Sequence, residues 1–284
     1  MKAFVLRIFA LLTAAGLLAA CSMAGMAYNN VVPLASWYVD DYVDLDDAQM
    51  ARFREGLSRL QAWHRKSELP EYSRVLEDAA RKVDGKVSVD DVSGLYADGR
   101  RLANRLTDRA LPDFADILLT LTPDQIASIE ARLARDNEKM RKERLAPATA
   151  RREQERLDRF VRNMESWLGE MGAAQKALIR ERLALLPAGD ALRLADRRRL
   201  QGDFLALLRN PPPKPQFEAA LRRILLNPEE GRDPAYQAHA REWRAQTTAL
   251  FADLLAMSTP AQREHLKRKL RGYASDVTAL VSAS

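Results

Sequence analysis

Cysteine is almost absent from this chain: its 284 residues hold one, Cys21. A lone thiol makes no disulfide within the chain, so core packing must hold the fold by itself. The three histidines, His64, His239 and His265, form no pair with zinc-site spacing. No Gly-x-Ser-x-Gly elbow and no glycine-rich phosphate loop occurs, which removes two common catalytic patterns. Strands are missing as well, since no segment alternates over enough β-branched residues. Lys86 to Val92 comes nearest, and there Ser88 ahead of Asp91 reads better as a helix start. Nor does one sign of charge dominate. Residues 1–20 carry Lys2 and Arg7 and no acid, so without them the balance falls from +6 to +4. Nucleic-acid binders gather positive charge on one face, whereas here both signs alternate along most segments, as solvated helices do. A nucleic-acid partner is therefore not expected.

A long apolar run is lacking too. Ile8 to Ala20 is uncharged and rich in leucine and alanine, but it is only 13 residues, and a helix needs ~20 to cross the ~30 Å hydrocarbon layer. Two charges, a short apolar run and small residues follow one another as in an export signal. Leu18-Ala19-Ala20-Cys21 resembles the lipobox of bacterial lipoproteins. The resemblance implies cleavage before Cys21, diacylglycerol on its sulfur and an acyl chain on its new amine. Acyl chains contribute ~0.8 kcal/mol per buried methylene, and one chain anchors only marginally, so the three implied here would hold the protein to a membrane. Ser22 in place of aspartate implies an outer-membrane address, with the body on the periplasmic face. No cofactor is expected beyond these covalent lipids.

What is present reads as helix almost throughout. From Asp46 to Lys66 the apolar positions Met50, Phe53, Leu57 and Leu60 recur at three and four residues, the stripe of a helix lying on a core. Pro70 is expected to end that helix, with a new stripe from Tyr72 to Val83. Others run from Leu157 to Met171, Tyr236 to Leu254 and Leu266 to Leu280. The expected fold is all-α, an elongated multi-helix bundle after a cleaved signal peptide. Its parts are a signal (1–20), a lipidated tether (21–33), a helical body (34–209), a proline-rich hinge (210–215) and C-terminal helices (216–284) packing back on the body. Arg197 to Arg199 and the basic residues from Arg263 to Arg271 are expected to be solvated.

Four segments share a form: Leu45 to Gln49, Leu121 to Gln125, Met171 to Gln175 and Ser258 to Gln262. Each reads as a capping box, with Asp46, Thr122 or Thr259 accepting from a free backbone donor while Gln49, Gln125, Gln175 or Gln262 reaches back. Pro123 and Pro260 sit at the first helical position, where a missing donor costs nothing. Leu45 with Met50, and Leu121 with Ile126, are placed as hydrophobic staples. Each cap contributes ~1 kcal/mol. Leu121 to Gln125 also resembles the Leu-Thr-x-x-Gln motif of small periplasmic stress chaperones related to Spy, which implies binding of unfolding proteins.

Tyr28 to Asn30, Trp37 to Gln49 and Ala62 to Pro70 resemble an uncharacterised family of proteobacterial helical lipoproteins. That resemblance implies an address and a fold and carries no catalytic residue. Within it, residues 34–45 read as a short helix with Asp40 and Asp44 on one face and Trp37 and Asp41 on another. Five aspartates between 40 and 47 suit a hard cation in type, but neither EF-hand spacing nor a loop glycine is present. They read instead as charges that favour a helix start or pair with arginines. His64, four residues before Glu68, has the elements of a general base, yet it continues an apolar stripe and reads as a core histidine bonded to that carboxylate. The expectation is a non-catalytic envelope factor that binds a protein partner, with a candidate surface of Trp37, Asp40, Asp41, Asp44, Trp63 and His64. A Spy-like chaperone is the second reading, and an enzyme using His64 and nearby carboxylates the third.

Overall fold

A computed structural model describes residues 23–186 and 188–282, and among them there are helices and no strand. Residues 1–20 and Cys21 lie outside the described residues. The helices are α1 (Met23–Asn29), α2 (Val31–Val43), α3 (Asp47–Trp63), a π turn (His64–Glu68), α4 (Leu69–Lys82), α5 (Val89–Leu118), α6 (Pro123–Arg144), α7 (Thr149–Leu168), α8 (Ala173–Ala184), α9 (Asp190–Arg209), α10 (Lys214–Leu226), α11 (Pro234–Ala256) and α12 (Pro260–Ser282).

The helix starts follow local chemistry. Asp46 accepts from the Gln49 backbone at 2.8 Å while the Gln49 side chain accepts from the Asp46 backbone at 3.0 Å, and the same reciprocal pair opens α5 at Ser88 and Asp91. Thr122 with Gln125 and Thr259 with Gln262 repeat it at α6 and α12. At α8 the first partner is Gly172, which has no side chain, so only the return bond from Gln175 forms, at 3.0 Å.

Apolar burial divides into two principal cores. The first gathers α2, α3, the C-terminal half of α5, α6, α9 and α10 around Phe204, Phe217, Leu106 and Leu221. The second gathers the end of α4 with α7, α8, α11 and α12 around Met164, Ile179, Leu250 and Leu254. A smaller cluster of Tyr28, Leu69, Val277 and Leu280 joins α1 and α4 to the end of α12.

Three expectations change and a fourth gains detail. Pro70 does not end a helix: the Leu69 N–H bonds to the His64 carbonyl five residues back, and the wider π turn lets Pro70, which has no donor, sit in the first turn of α4 without a break. The helices after residues 210–215 pack on the body in two places rather than as one unit. α10 follows the prolines yet buries Phe217 and Leu221 completely in the first core, while α7 and α8 pack with α11 and α12. The tether expected over 21–33 is helical from Met23, because Tyr28 and Val31 find apolar cover, each at most 3% exposed. Finally, the basic runs are only partly solvated. Arg197 bonds Asn137 at 2.8 Å, and Arg199 reaches Asp196 and the Pro228 carbonyl. In α12, Arg263 bonds the carbonyls of Val83, Gly85 and Leu255, and Lys267 pairs with Asp84. These cations stitch helices together.

Candidate functional site

Over the second core the N-terminal half of α5 stands off its neighbours. From Val89 to Arg101 no α5 side chain is fully buried, and Val89, Leu95 and Tyr96 are 44%, 43% and 52% exposed. Gly94 and Gly99 lie in this half with open space where a Cβ would be, and glycine is ~1 kcal/mol less favourable than alanine inside a helix. The C-terminal half of α5, by contrast, buries Leu102, Leu106, Leu111 and Ala115. One helix is thus rooted at one end and loosely covered at the other.

The gap leaves a groove of about 420 Å³ between α4, α5, α7, α11 and α12. Fifteen of its nineteen lining residues are apolar, among them Leu76, Leu95, Tyr96, Trp167, Phe251 and Leu266. The others are Asp78, Asp91, Asp98 and Lys82, so carboxylates predominate on its polar edge. Asp91 is held ionised well below the usual carboxylate range, first by the Lys82 ammonium and then by Ser88. On the other side of Tyr96 and Phe251, which line both, lies a smaller cavity of about 310 Å³ lined by Tyr236, His239 and Trp243, whose rings follow one another along α11 at 6.3 Å spacing. Arg244 covers the Tyr96 ring at 5.0 Å. Pockets of 300–1,000 Å³ with apolar walls and a few polar groups are typical of binding sites.

A second, closed cluster lies at the π turn. His64 and Glu68 are 1% and 0% exposed. Tyr28 Oη lies 3.1 Å from His64 Nδ1, and the Tyr72 ring meets the imidazole edge-on at 5.4 Å. Burial pushes His64 down to about 4 and both Tyr28 and Tyr72 up to about 12, so the imidazole is neutral and the phenols keep their protons near neutral pH. The expected bond between His64 and Glu68 is not made. Arg105 takes Glu68 Oε1 at 2.6 Å, and burial, opposed by that guanidinium, raises the carboxyl. His64 Nε2, Glu68 Oε2 and Tyr72 Oη have no partner among the described residues.

The structure does not bring together the six residues of the expected partner surface. Trp37, Asp40 and Asp41 lie on the outer face of α2, with Asp41 paired to Arg132 at 3.1 Å, and Asp44 ends that helix at a left-handed φ of 50°. Trp63 is half-buried against the first core with Arg109 over its ring, and His64 faces inward, because both follow the buried stripe of α3. Asp46 and Asp47 serve the start of α3. Among the described residues no cluster of three or more His, Cys, Asp or Glu could hold a metal ion, and no helix is long and apolar enough to cross a membrane.

The capping glutamines do more than cap. Gln49 and Gln125 exchange carboxamide hydrogen bonds, at 3.1 Å from Gln49 Nε2 and 2.6 Å from Gln125 Nε2. Gln49 also donates to the Thr120 carbonyl and Gln125 to the Asp44 carbonyl, both at 2.9 Å. Gln175 and Gln262 form a second clasp at 3.1 and 3.0 Å, with Gln262 donating to the Glu170 carbonyl. The four similar segments therefore meet in pairs, one pair for each large core. The second clasp sits one turn before Leu266, a residue of the groove wall. Neither the pairing nor the groove is visible in residue spacing. The nearest signal for the groove is Val92, Leu95 and Tyr96 at helical spacing beside two glycines.

Residues 41–237 match the model of a family of unknown function, DUF6279. No curated protein and no solved structure matches the chain.

Proposed function

We propose that this chain, which belongs to that family, is a lipid-anchored, non-catalytic protein-binding factor on the periplasmic face of the outer membrane, serving envelope maintenance or assembly. The observation that carries the binding role is the open apolar groove beneath α5. Its occupant is an apolar segment of an envelope protein, since fifteen of the nineteen lining residues are apolar and the three carboxylates on the polar edge are already paired with Arg81, Lys82 and Arg101. The anchor rests on Leu18-Ala19-Ala20-Cys21 and the charged and apolar residues before it. What weighs against an enzyme built on His64 is burial: neither ring nitrogen is open to a substrate.

A photo-reactive side chain in place of Leu95, in intact cells, should give a discrete adduct that disappears when Leu255→Glu is added. The same side chain in place of exposed Lys139 should give none. Identical adducts from both positions would remove the groove from consideration. Labelled palmitate should mark the native protein and spare Cys21→Ser; equal labelling would end the anchor proposal.

A chaperone of the Spy kind is the second reading; it rests on the Leu121 to Gln125 motif, whose glutamine is committed here to a helix cap and a clasp. A chaperone suppresses aggregation of an unrelated unfolding client, and a factor dedicated to one partner does not.

A further inference from the structure

From Ile8 to Val39 the sequence holds no charged residue, and the next charges are Asp40 and Asp41. Residues 23–43 of this stretch form α1 and α2, and the helical track continues through their junction: Asn30 N donates to the Met26 carbonyl at 3.0 Å and Leu34 N to the Asn30 carbonyl at 3.1 Å. Met26, Asn30, Pro33, Leu34 and Trp37, at three- and four-residue spacing, therefore share one side. That side is open. Met26 is 60% exposed, Leu34 44% and Trp37 73%, while Tyr28, Val31, Ala35 and Val39 on the opposite side are buried. A solvent-facing stripe of methionine, proline, leucine and tryptophan with no charge is unusual for a surface helix, whose outer face is ordinarily polar. Farther along, the same side becomes acidic at Asp40 and Asp41.

We infer that this face of α1 and α2 lies in the headgroup region of the lipid leaflet that holds the anchor, with the helix axis close to the membrane plane. The inference rests on the anchor proposed above. Cleavage before Cys21 leaves two residues ahead of α1, a reach of roughly 7 Å when extended, so the start of α1 is held against the lipid surface. The orientation follows from length. Met23 to Trp37 spans roughly 21 Å of helix at ~1.5 Å per residue, whereas the polar interface is only ~5–8 Å deep on each side of the hydrocarbon. A helix standing upright would lift Trp37 into water; one lying flat places Met26, Leu34 and Trp37 together at the depth where tryptophan is enriched. Asp40, repelled by anionic headgroups, would mark where the helix leaves the surface, beside Asp41, which is paired with Arg132. The groove, on other helices, then remains free to face the periplasm.

With Cys21 acylated, an introduced cysteine is the only free thiol. Nitroxide labels placed through Met26→Cys, Leu34→Cys and, as a control, Lys139→Cys would be read in the full-length acylated protein on vesicles of phosphatidylethanolamine and phosphatidylglycerol. Positions 26 and 34 should both relax more with oxygen than with an aqueous nickel chelate, and position 139 should show the reverse. Nickel access at 34 equal to that at 139 would overturn the inference, as would protection of 34 from both reagents, the signature of a protein contact or a second copy. A protein that fails to float with the vesicles loses anchor and inference together, whereas a floating protein with position 34 in water loses the inference alone.

Discussion

The two large cores use the same device with different results. Each is fastened by a pair of capping glutamines that exchange carboxamide bonds, but the first clasp also holds the carbonyls of Asp44 and Thr120, and its helices close over Phe204 and Phe217. The second clasp has one glycine where a capping side chain would stand and holds the Glu170 carbonyl, and its core opens into the groove. The difference lies in how each core is roofed. α5 runs past both, but only its C-terminal half belongs to a core, the first, while its N-terminal half stands over the second without a buried side chain. A common fastening thus does not make two equally closed cores.

The largest effect should come from emptying each core in turn. Phe217→Ala, at a position with no exposure, should cost ~4 kcal/mol in urea unfolding, and Phe251→Ala on the groove wall roughly half of that, because its site already borders open space. Equal losses would mean that the second core is as closed as the first.

Between the cores, His64 tests the seam. Burial holds its folded value at about 4 against an ordinary 6.5. The unfolded chain binds a proton below ~6.5 that the fold refuses until ~4, so stability should decline over that window as pH falls, by ~3 kcal/mol from this group. Glu68 works the other way. Its raised carboxyl adds stability at acid pH that is lost as pH rises through its folded value, which softens the slope. Urea midpoints taken from pH 7 to pH 4.5 should therefore fall more steeply in the native protein than in His64→Leu; parallel curves would remove His64 as the cause.

The clasps come next. Gln125→Ala removes a cap and leaves Gln49 partly unsatisfied, for a loss of ~2 kcal/mol, and Gln175→Ala, whose cap lacks the Gly172 arm, should lose less. A double-mutant cycle on Gln49 and Gln125 should be non-additive, and simple additivity would mean that the two carboxamides are not coupled. Smallest is the repair of α5. Gly94→Ala and Gly99→Ala, each with room for a methyl group, should stabilise by up to ~1 kcal/mol apiece in thermal melts. No gain at either position would show that this half of α5 is not weakened by its glycines.

Much of the helical layout was legible from residue order. The stripe from Met50 to Leu60, the boxes at Asp46, Thr122 and Thr259, and the start at Ser88 are local statements in which three or four neighbouring residues decide the backbone. Pro70 was misleading because proline forbids one hydrogen bond, not a helix, and a π turn makes that bond unnecessary. The prolines at 210–215 told only that a helix ends there, since prolines break a helix without saying which core the next helix joins. The candidate site was nearly invisible. Leu95, Trp167 and Phe251 lie on three helices far apart in the chain, and each alone resembles any core residue.

Residue order by itself determined that this chain is helical, where five helices opened by caps begin, and that its first uncharged stretch ends at Asp40, because caps, stripes and charge act within a few residues. Only the tertiary structure decided which glutamines cross, which arginines become fasteners and where α5 leaves a gap. Those outcomes depend on surfaces that meet after the helices have formed, and one-dimensional spacing carries no record of which surface meets which.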